Sequence, residues 1–203
     1  MSIQILGGLA RGRTLDVPTG SLIRPTSVML RRRLFDARQD LTGFYFYDLC
    51  AGSGSVGIEA WSRGAEGLSL NEKNRQVYQV LLKNMSMLKS HYADEINLRK
   101  ISHTNLDCSK FLQQFKIDYE NRSQSEKTNT ILFFDPPYED HKLYLNILDQ
   151  FNLFQQSWFQ GEFWLESDET KGIKVKDLEK LNLPIAKKYV QGTSFVAIIK
   201  ETN

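Results

Sequence analysis

No apolar run in the chain approaches the ~18 residues that suggest a membrane span. The first residues, MSIQILGGLARGR, lack the apolar centre and small-residue cleavage site of a secretory signal, so a cytoplasmic protein is expected. The two cysteines, Cys50 and Cys108, form no CxxC pair, and His91, His103 and His141 are scattered, so no metal site is expected. Internal repeats and an interdomain linker are also missing. With 203 residues, 41% hydrophobic and 25% charged, the chain reads as one α/β domain able to bury a sizeable core. Residues 1–40 form an N-terminal extension of a core spanning 41–203.

The net charge of +2 is too small to argue for a nucleic-acid partner. Its distribution says more. Residues 1–40 carry Arg11, Arg13, Arg24, Arg31, Arg32, Arg33 and Arg38 against Asp16, Asp36 and Asp40. Arginine forks onto phosphates and stacks on bases, although a run such as Arg31–Arg33 also suits a solvated helix face.

Residues 3–7 and 12–17 are short apolar-rich runs around a Gly-containing turn, which predicts a hairpin. Pro25 favours extended backbone before it, and Thr26 or Ser27 could cap a helix over 28–39. From Phe44 the pattern becomes strand–helix alternation, the sign of a mainly parallel sheet with helices on both faces. Strands are expected at 44–50, 67–71, 96–102, 130–134 and 162–167, with two more near 185–190 and 193–200 around a tight turn at Gln191-Gly192. Helices are expected near 55–63, 74–90, 108–115 and 141–151, the second from the spacing of Val77, Leu81, Met85 and Leu88. Residues 118–129 are polar and aperiodic and read as a surface loop.

Two constellations carry chemistry. The turn DLCAGSGSVG, 48–57, follows a strand, opens a helix and satisfies GxGxxG with Gly52, Gly54 and Gly57. Glycines let backbone turn sharply and approach a ligand. Glu72 ends the next strand ~20 residues on, the place of a carboxylate that accepts from ribose hydroxyls. That pattern fits NAD as well as S-adenosylmethionine. Asp48 favours the second, because a carboxylate there would accept from a cationic amino-acid moiety and repel a pyrophosphate, although it could also simply cap the turn backbone. Asp107 is a candidate acceptor for an adenine amino group or an ordinary helix N-terminal acid; Asn105 competes for the first role.

The second is Asp135-Pro136-Pro137-Tyr138 after the apolar run TILFF. Two prolines lock both φ angles and offer no N–H, leaving a stiff loop whose carbonyls can accept from an external donor. A base amino group is such a donor, and it is poorly nucleophilic because its lone pair is delocalised into the ring. Holding it between the Asp135 side chain and the Pro136 carbonyl would direct that lone pair at a methyl group, and Tyr138 offers a stacking face. Catalysis would be mainly positioning, with no strong general base.

With both constellations the sequence resembles the amino-methylating class I methyltransferases. Within them it is most similar to the RsmD family, bacterial enzymes that methylate the N2 amino group of a guanine in small-subunit (16S) rRNA. ILGGLARGRTLDVP, LIRPTS with RRRLF, DLCAGSGSVGIEAWSRGA, FFDPPY and QGTSFVAII carry the likeness over most of the chain. The resemblance implies a Rossmann-like seven-stranded, mainly parallel sheet with the last strand pair antiparallel, plus a small N-terminal hairpin and helix for rRNA. It implies S-adenosyl-L-methionine as cofactor, held by Asp48, Gly52, Ser53, Gly54, Glu72 and Asp107, with Asp135, Pro136, Pro137 and Tyr138 catalytic. Arg11, Arg13, Arg24 and Arg31 would bind substrate, namely rRNA or a small-subunit assembly intermediate, and a monomer is expected. Two positions depart from the family pattern: Arg32 stands where Glu is usual, and Tyr138 where Phe is common. Methylation of another acceptor, an NAD-dependent oxidoreductase, which would leave DPPY unexplained, and an RNA-binding module without activity are the alternatives.

Overall fold

The computed structural model describes residues 2–18, 28–151 and 158–200. Two short strands, β1 (Ser2–Gln4) and β2 (Thr14–Asp16), pair antiparallel as the expected hairpin. Helix α1 (Val28–Asp36) follows; Arg24, Pro25 and the cap expected at Thr26 or Ser27 lie outside the described residues. The core then runs β3 (Tyr45–Asp48), α2 (Ser55–Ser62), β4 (Gly67–Asn71), α3 (Arg75–His91), α4 (Ala93–Leu98), β5 (Lys100–Thr104), α5 (Cys108–Glu120) and α6 (Gln124–Thr128). It closes with β6 (Thr130–Phe134), α7 (His141–Gln150), β7 (Glu162–Asp168), α8 (Val175–Lys180), β8 (Ile185–Gln191) and β9 (Ser194–Ile199).

Seven strands form one sheet in the order β5-β4-β3-β6-β7-β9-β8. The first five run parallel to one another, and β9 runs antiparallel to both β7 and β8. The Rossmann-like expectation is met, and Gly192 supplies the left-handed residue (φ 62°) of the β8–β9 turn.

Period-two alternation divides the strands' side chains between two cores. Ile131, Phe133, Trp164, Val196 and Ile198 pack with α1, α2 and α3 on one face. Leu132, Phe134, Phe163, Leu165, Phe195 and Ala197 pack with α5, α7 and α8 on the other. The chain leaves β3 toward β4 on one side and returns to β6 on the other, so the order reverses between β3 and β6. Open α/β sheets bind ligands outside the carboxyl ends of strands at such a point.

Two expectations are corrected. The strand expected at 96–102 starts at Lys100, because Asp94 and Glu95 begin the short helix α4, where acids complement the helix dipole. Pairing of Ile101 with Leu68 then sets the register. The loop expected at 118–129 is largely helical. Helix α5 continues to Glu120 because Tyr119, 1% exposed, extends the Phe111–Phe115 stripe. Helix α6 starts at a capping box in which Ser123 and Glu126 satisfy each other's backbone N–H.

Candidate active site at the carboxyl ends of β3 and β6

Strands β3 and β6 are in register, Asp48 beside Phe133, and the Leu49 N–H donates to the Phe133 carbonyl (2.9 Å). The glycine turn and the Asp135–Tyr138 loop therefore leave adjacent strands at the same level. Between them lies a cavity of about 830 Å³, of ordinary size for a cofactor or small-ligand site. Asp48, Gly52, Ser53, Glu72 and Asp107 line it on one side and Asp135 to Tyr138 on the other.

The turn is built by conformation. Gly52 and Gly54 take φ of 56° and 87°, in the left-handed region that side chains disfavour, and Gly54 is the residue before α2. A Cβ on Gly54 would stand 2.6 Å from Leu81 Cδ1, so the end of that α3 side chain would have to shift. Glu72 fixes the turn to β4: Oε2 accepts from Gly52 N–H (2.9 Å) and Oε1 from Asn74 N–H (2.7 Å). The Lys73 N–H bonds the same carboxylate, so three of its lone pairs are taken by backbone and about one is left for a ligand donor. Burial raises the Glu72 carboxyl pKa, with the N–H groups of Asn74 and Gly52 opposing.

Asp48 is 1% exposed, and its Oδ1 has no hydrogen-bond partner. Desolvation, followed by repulsion from Asp135, pushes its carboxyl well above the usual range. A buried carboxylate with an unsatisfied oxygen in a cavity wall is the environment that a cationic ligand group relieves. The α-amino group of S-adenosylmethionine fits that requirement, whereas a pyrophosphate would add repulsion.

Asp107 caps α5, accepting from Ser109 N–H at 3.0 Å, and pairs with Lys73 (2.9 Å), which with the cap lowers its pKa. It lines the cavity as a capping acid. Asn105 does not line the cavity; its Nδ2 donates to the carbonyls of Glu72 (2.6 Å) and Lys73 (3.0 Å).

In the second loop the Pro137 carbonyl accepts from Asp140 N–H (2.9 Å) and belongs to the turn into α7. Asp135 and Pro136 line the cavity beside it. Tyr138 is half-buried, and its hydroxyl donates to Glu166 Oε1 on β7 (3.0 Å). Burial and the Glu166 charge hold the phenol protonated by raising its pKa. The Tyr144 hydroxyl donates to the Glu166 carbonyl (2.8 Å), so α7 and β7 both brace the loop.

The arginines divide. Arg11 and Arg13 are exposed on the hairpin and do not line the cavity; Arg13 Nε donates to the Tyr92 hydroxyl (3.1 Å). Arg31, expected to meet substrate, is corrected: it is 0% exposed, with its guanidinium donating to the carbonyls of Ser55 (3.2 Å) and Gln4 (2.6 Å). A side chain enclosed by protein cannot reach a phosphate. Arg32 and Arg33 are the exposed members of the run.

Sequence reasoning missed three polar residues that shape the site. Asn71, fully buried at the end of β4, donates to the Leu49 and Leu106 carbonyls (both 3.1 Å) and so ties three strand ends together. Glu166 and Asn84 are the others. A buried polar residue inside an apolar strand or helix stripe was the available signal, since such a group persists only with partners. Among the described residues there is no group of side chains that could hold a metal ion, and no helix is long and apolar enough to cross a membrane.

The family model described as conserved hypothetical protein 95 matches residues 3–200. Ribosomal RNA small subunit methyltransferase D of Escherichia coli K12 is 33% identical over 84% of this chain and 77% of its own. The Bacillus subtilis protein YlbH is 26% identical over 98% of this chain and 99% of its own. Among solved structures, the Escherichia coli protein yhhF superposes with a TM-score of 0.67 at 27% identity, covering 98% of this chain and 97% of the other. With the glycine turn, the buried Asp48 and the Asp-Pro-Pro-Tyr loop meeting at one cavity, the chain belongs to the RsmD family of S-adenosylmethionine-dependent methyltransferases.

Proposed function

We propose that the chain methylates the exocyclic N2 amino group of a guanine in small-subunit ribosomal RNA, acting in the cytoplasm as a monomer on the RNA or on a subunit assembly intermediate. The observation that carries this reading is the shared cavity: the Asp135–Tyr138 loop and the glycine turn open on it from adjacent strands. When bound, S-adenosylmethionine supplies a methyl group made electrophilic by its sulfonium.

The residues of this chain do the positioning. Asp48 would hold the cofactor's α-amino group, and Glu72 the ribose hydroxyls. The Asp135 carboxylate and the Pro136 carbonyl accept the two hydrogens of the base amine, which turns its lone pair away from the loop and toward the cofactor side. The Tyr138 ring, braced through Glu166, supports the base by stacking. The amine becomes more acidic once alkylated and loses its proton afterwards, so alignment supplies the acceleration. Exposed Arg11, Arg13, Arg32 and Arg33 would contact phosphates around the target.

The test is a comparison of ribosomal RNA from cells with and without this protein. One N2-methylguanosine in 16S rRNA is expected to disappear in its absence and to be restored by the purified protein with S-adenosylmethionine. Unchanged rRNA modification, or transfer only to DNA or protein, would refute the assignment.

A further inference from the structure

Asn84 sits in the apolar stripe of α3, between Leu81 and Leu88, and is 2% exposed. A buried amide is unfavourable by about 1–3 kcal/mol for each unmet polar group, so its partners explain its presence. It makes three hydrogen bonds, each 2.9 Å. Oδ1 accepts from Asp16 N–H of β2, and Nδ2 donates both to the Asp16 carbonyl and to the Ser53 carbonyl in the glycine turn. Arg31 repeats the arrangement one strand over. One guanidinium nitrogen donates to Gln4 of β1 and another to Ser55, just beyond Gly54. Two buried side chains from different helices thus each join one strand of the N-terminal hairpin to the glycine turn or the first residue of the helix that follows it.

The hairpin has separate anchors. Leu6 N–H donates to Glu59 Oε2 (2.7 Å) and Ala10 N–H to Ser62 Oγ (2.8 Å), both near the far end of α2. Asn84 and Arg31 are therefore not needed to attach it. Their distinctive consequence is that the hairpin strands and the cofactor turn must be ordered together.

We propose that Asn84 and Arg31 are positioning residues that couple the RNA side of the enzyme to its cofactor turn: RNA held on the hairpin steadies the turn through these bonds and tightens the cofactor, and the cofactor tightens RNA by the same factor. This rests on the proposed function, in which Arg11 and Arg13 of the hairpin meet RNA. A glycine-rich turn loses more freedom than other backbone when a ligand orders it. A second ligand that has already immobilised the attached strands removes part of that cost, which produces positive coupling without a change of shape. Linkage makes the coupling reciprocal.

The test is equilibrium dialysis of labelled S-adenosylhomocysteine against the full-length protein, with and without saturating small subunits from cells lacking this protein. In the wild type the subunits are expected to tighten binding about fivefold, in the usual range for coupled sites. Asn84→Ser and Arg31→Lys, each confirmed folded by its melting curve, are expected to reduce that factor to near one. A factor of one in the wild type overturns the inference even if neither variant folds, and so does full coupling retained in a folded variant. Methyl transfer to the same subunits is recorded in parallel. Transfer without coupling removes this inference alone, and absence of transfer removes the proposed function itself.

Discussion

Replacing Asp48 by Asn keeps the shape of the side chain and removes its charge. In its ionised form the carboxylate, buried near Asp135 with one oxygen unsatisfied, opposes folding of the free protein. Its folded pKa is raised, so the stabilisation it contributes is fully present below the unfolded value near 3.8 and is lost as pH rises through the folded value. The Asn variant should therefore melt no lower than the wild type at pH 7. Cofactor binding should move the other way. A hydrogen bond to a charged group contributes about 1.5–3 kcal/mol, so losing the one from the cofactor's ammonium weakens binding roughly 10- to 150-fold. In the wild type, affinity should rise with pH by up to about tenfold per unit until Asp48 is ionised in the free protein, and then level off. The variant should show no such slope. Titration calorimetry with S-adenosylmethionine across pH, paired with melting curves, reads both effects. Unchanged affinity in the variant, or a clear drop in its melting temperature with affinity intact, would return Asp48 to a purely structural role.

Gly54→Ala should cost about 1–2 kcal/mol for left-handed backbone, with Leu81 Cδ1 shifting to admit the Cβ; chemical denaturation should show a loss of this size, and a neutral result would mean the turn relaxes freely. Asp135→Ala should abolish turnover while changing cofactor affinity little, as read by methyl transfer beside calorimetry; preserved turnover would remove its assigned role. Tyr138→Phe takes a donor from Glu166, which is 1% exposed, so a stability loss of about 1–3 kcal/mol and a lower kcat with unchanged KM for S-adenosylmethionine are expected. Arg32→Ala should shallow the salt dependence of RNA binding by about 0.7–0.9 in log–log slope, one phosphate contact; an unchanged slope would make Arg32 a solvated surface residue.

The strands and helices that position the site were legible because their signals are local. TILFF ends abruptly in two prolines, and DLCAGSGSVG needs glycines where the chain turns; both motifs mark strand ends whatever surrounds them. The edge strand β5 was harder, since its exposed and half-exposed residues leave no alternation, and its start is fixed by pairing with β4 rather than by its own sequence. The capping box at Ser123 and Glu126 was readable but was lost in a polar stretch. Arg31 shows the limit of charge counting. Three consecutive arginines on a helix cannot all face one way, and the packing of α1 against the hairpin and α2 decides that Arg31 is the enclosed one. Asn84 and Glu166 depend on tertiary partners dozens of residues away, which no spacing rule supplies.

The most direct measurement is a crystal structure with S-adenosylhomocysteine bound. The ligand's amino group should lie at Asp48, its ribose at Glu72, and its sulfur should face the Asp135–Tyr138 loop across the cavity. A ligand seated elsewhere, or one whose sulfur points away from that loop, would contradict the account.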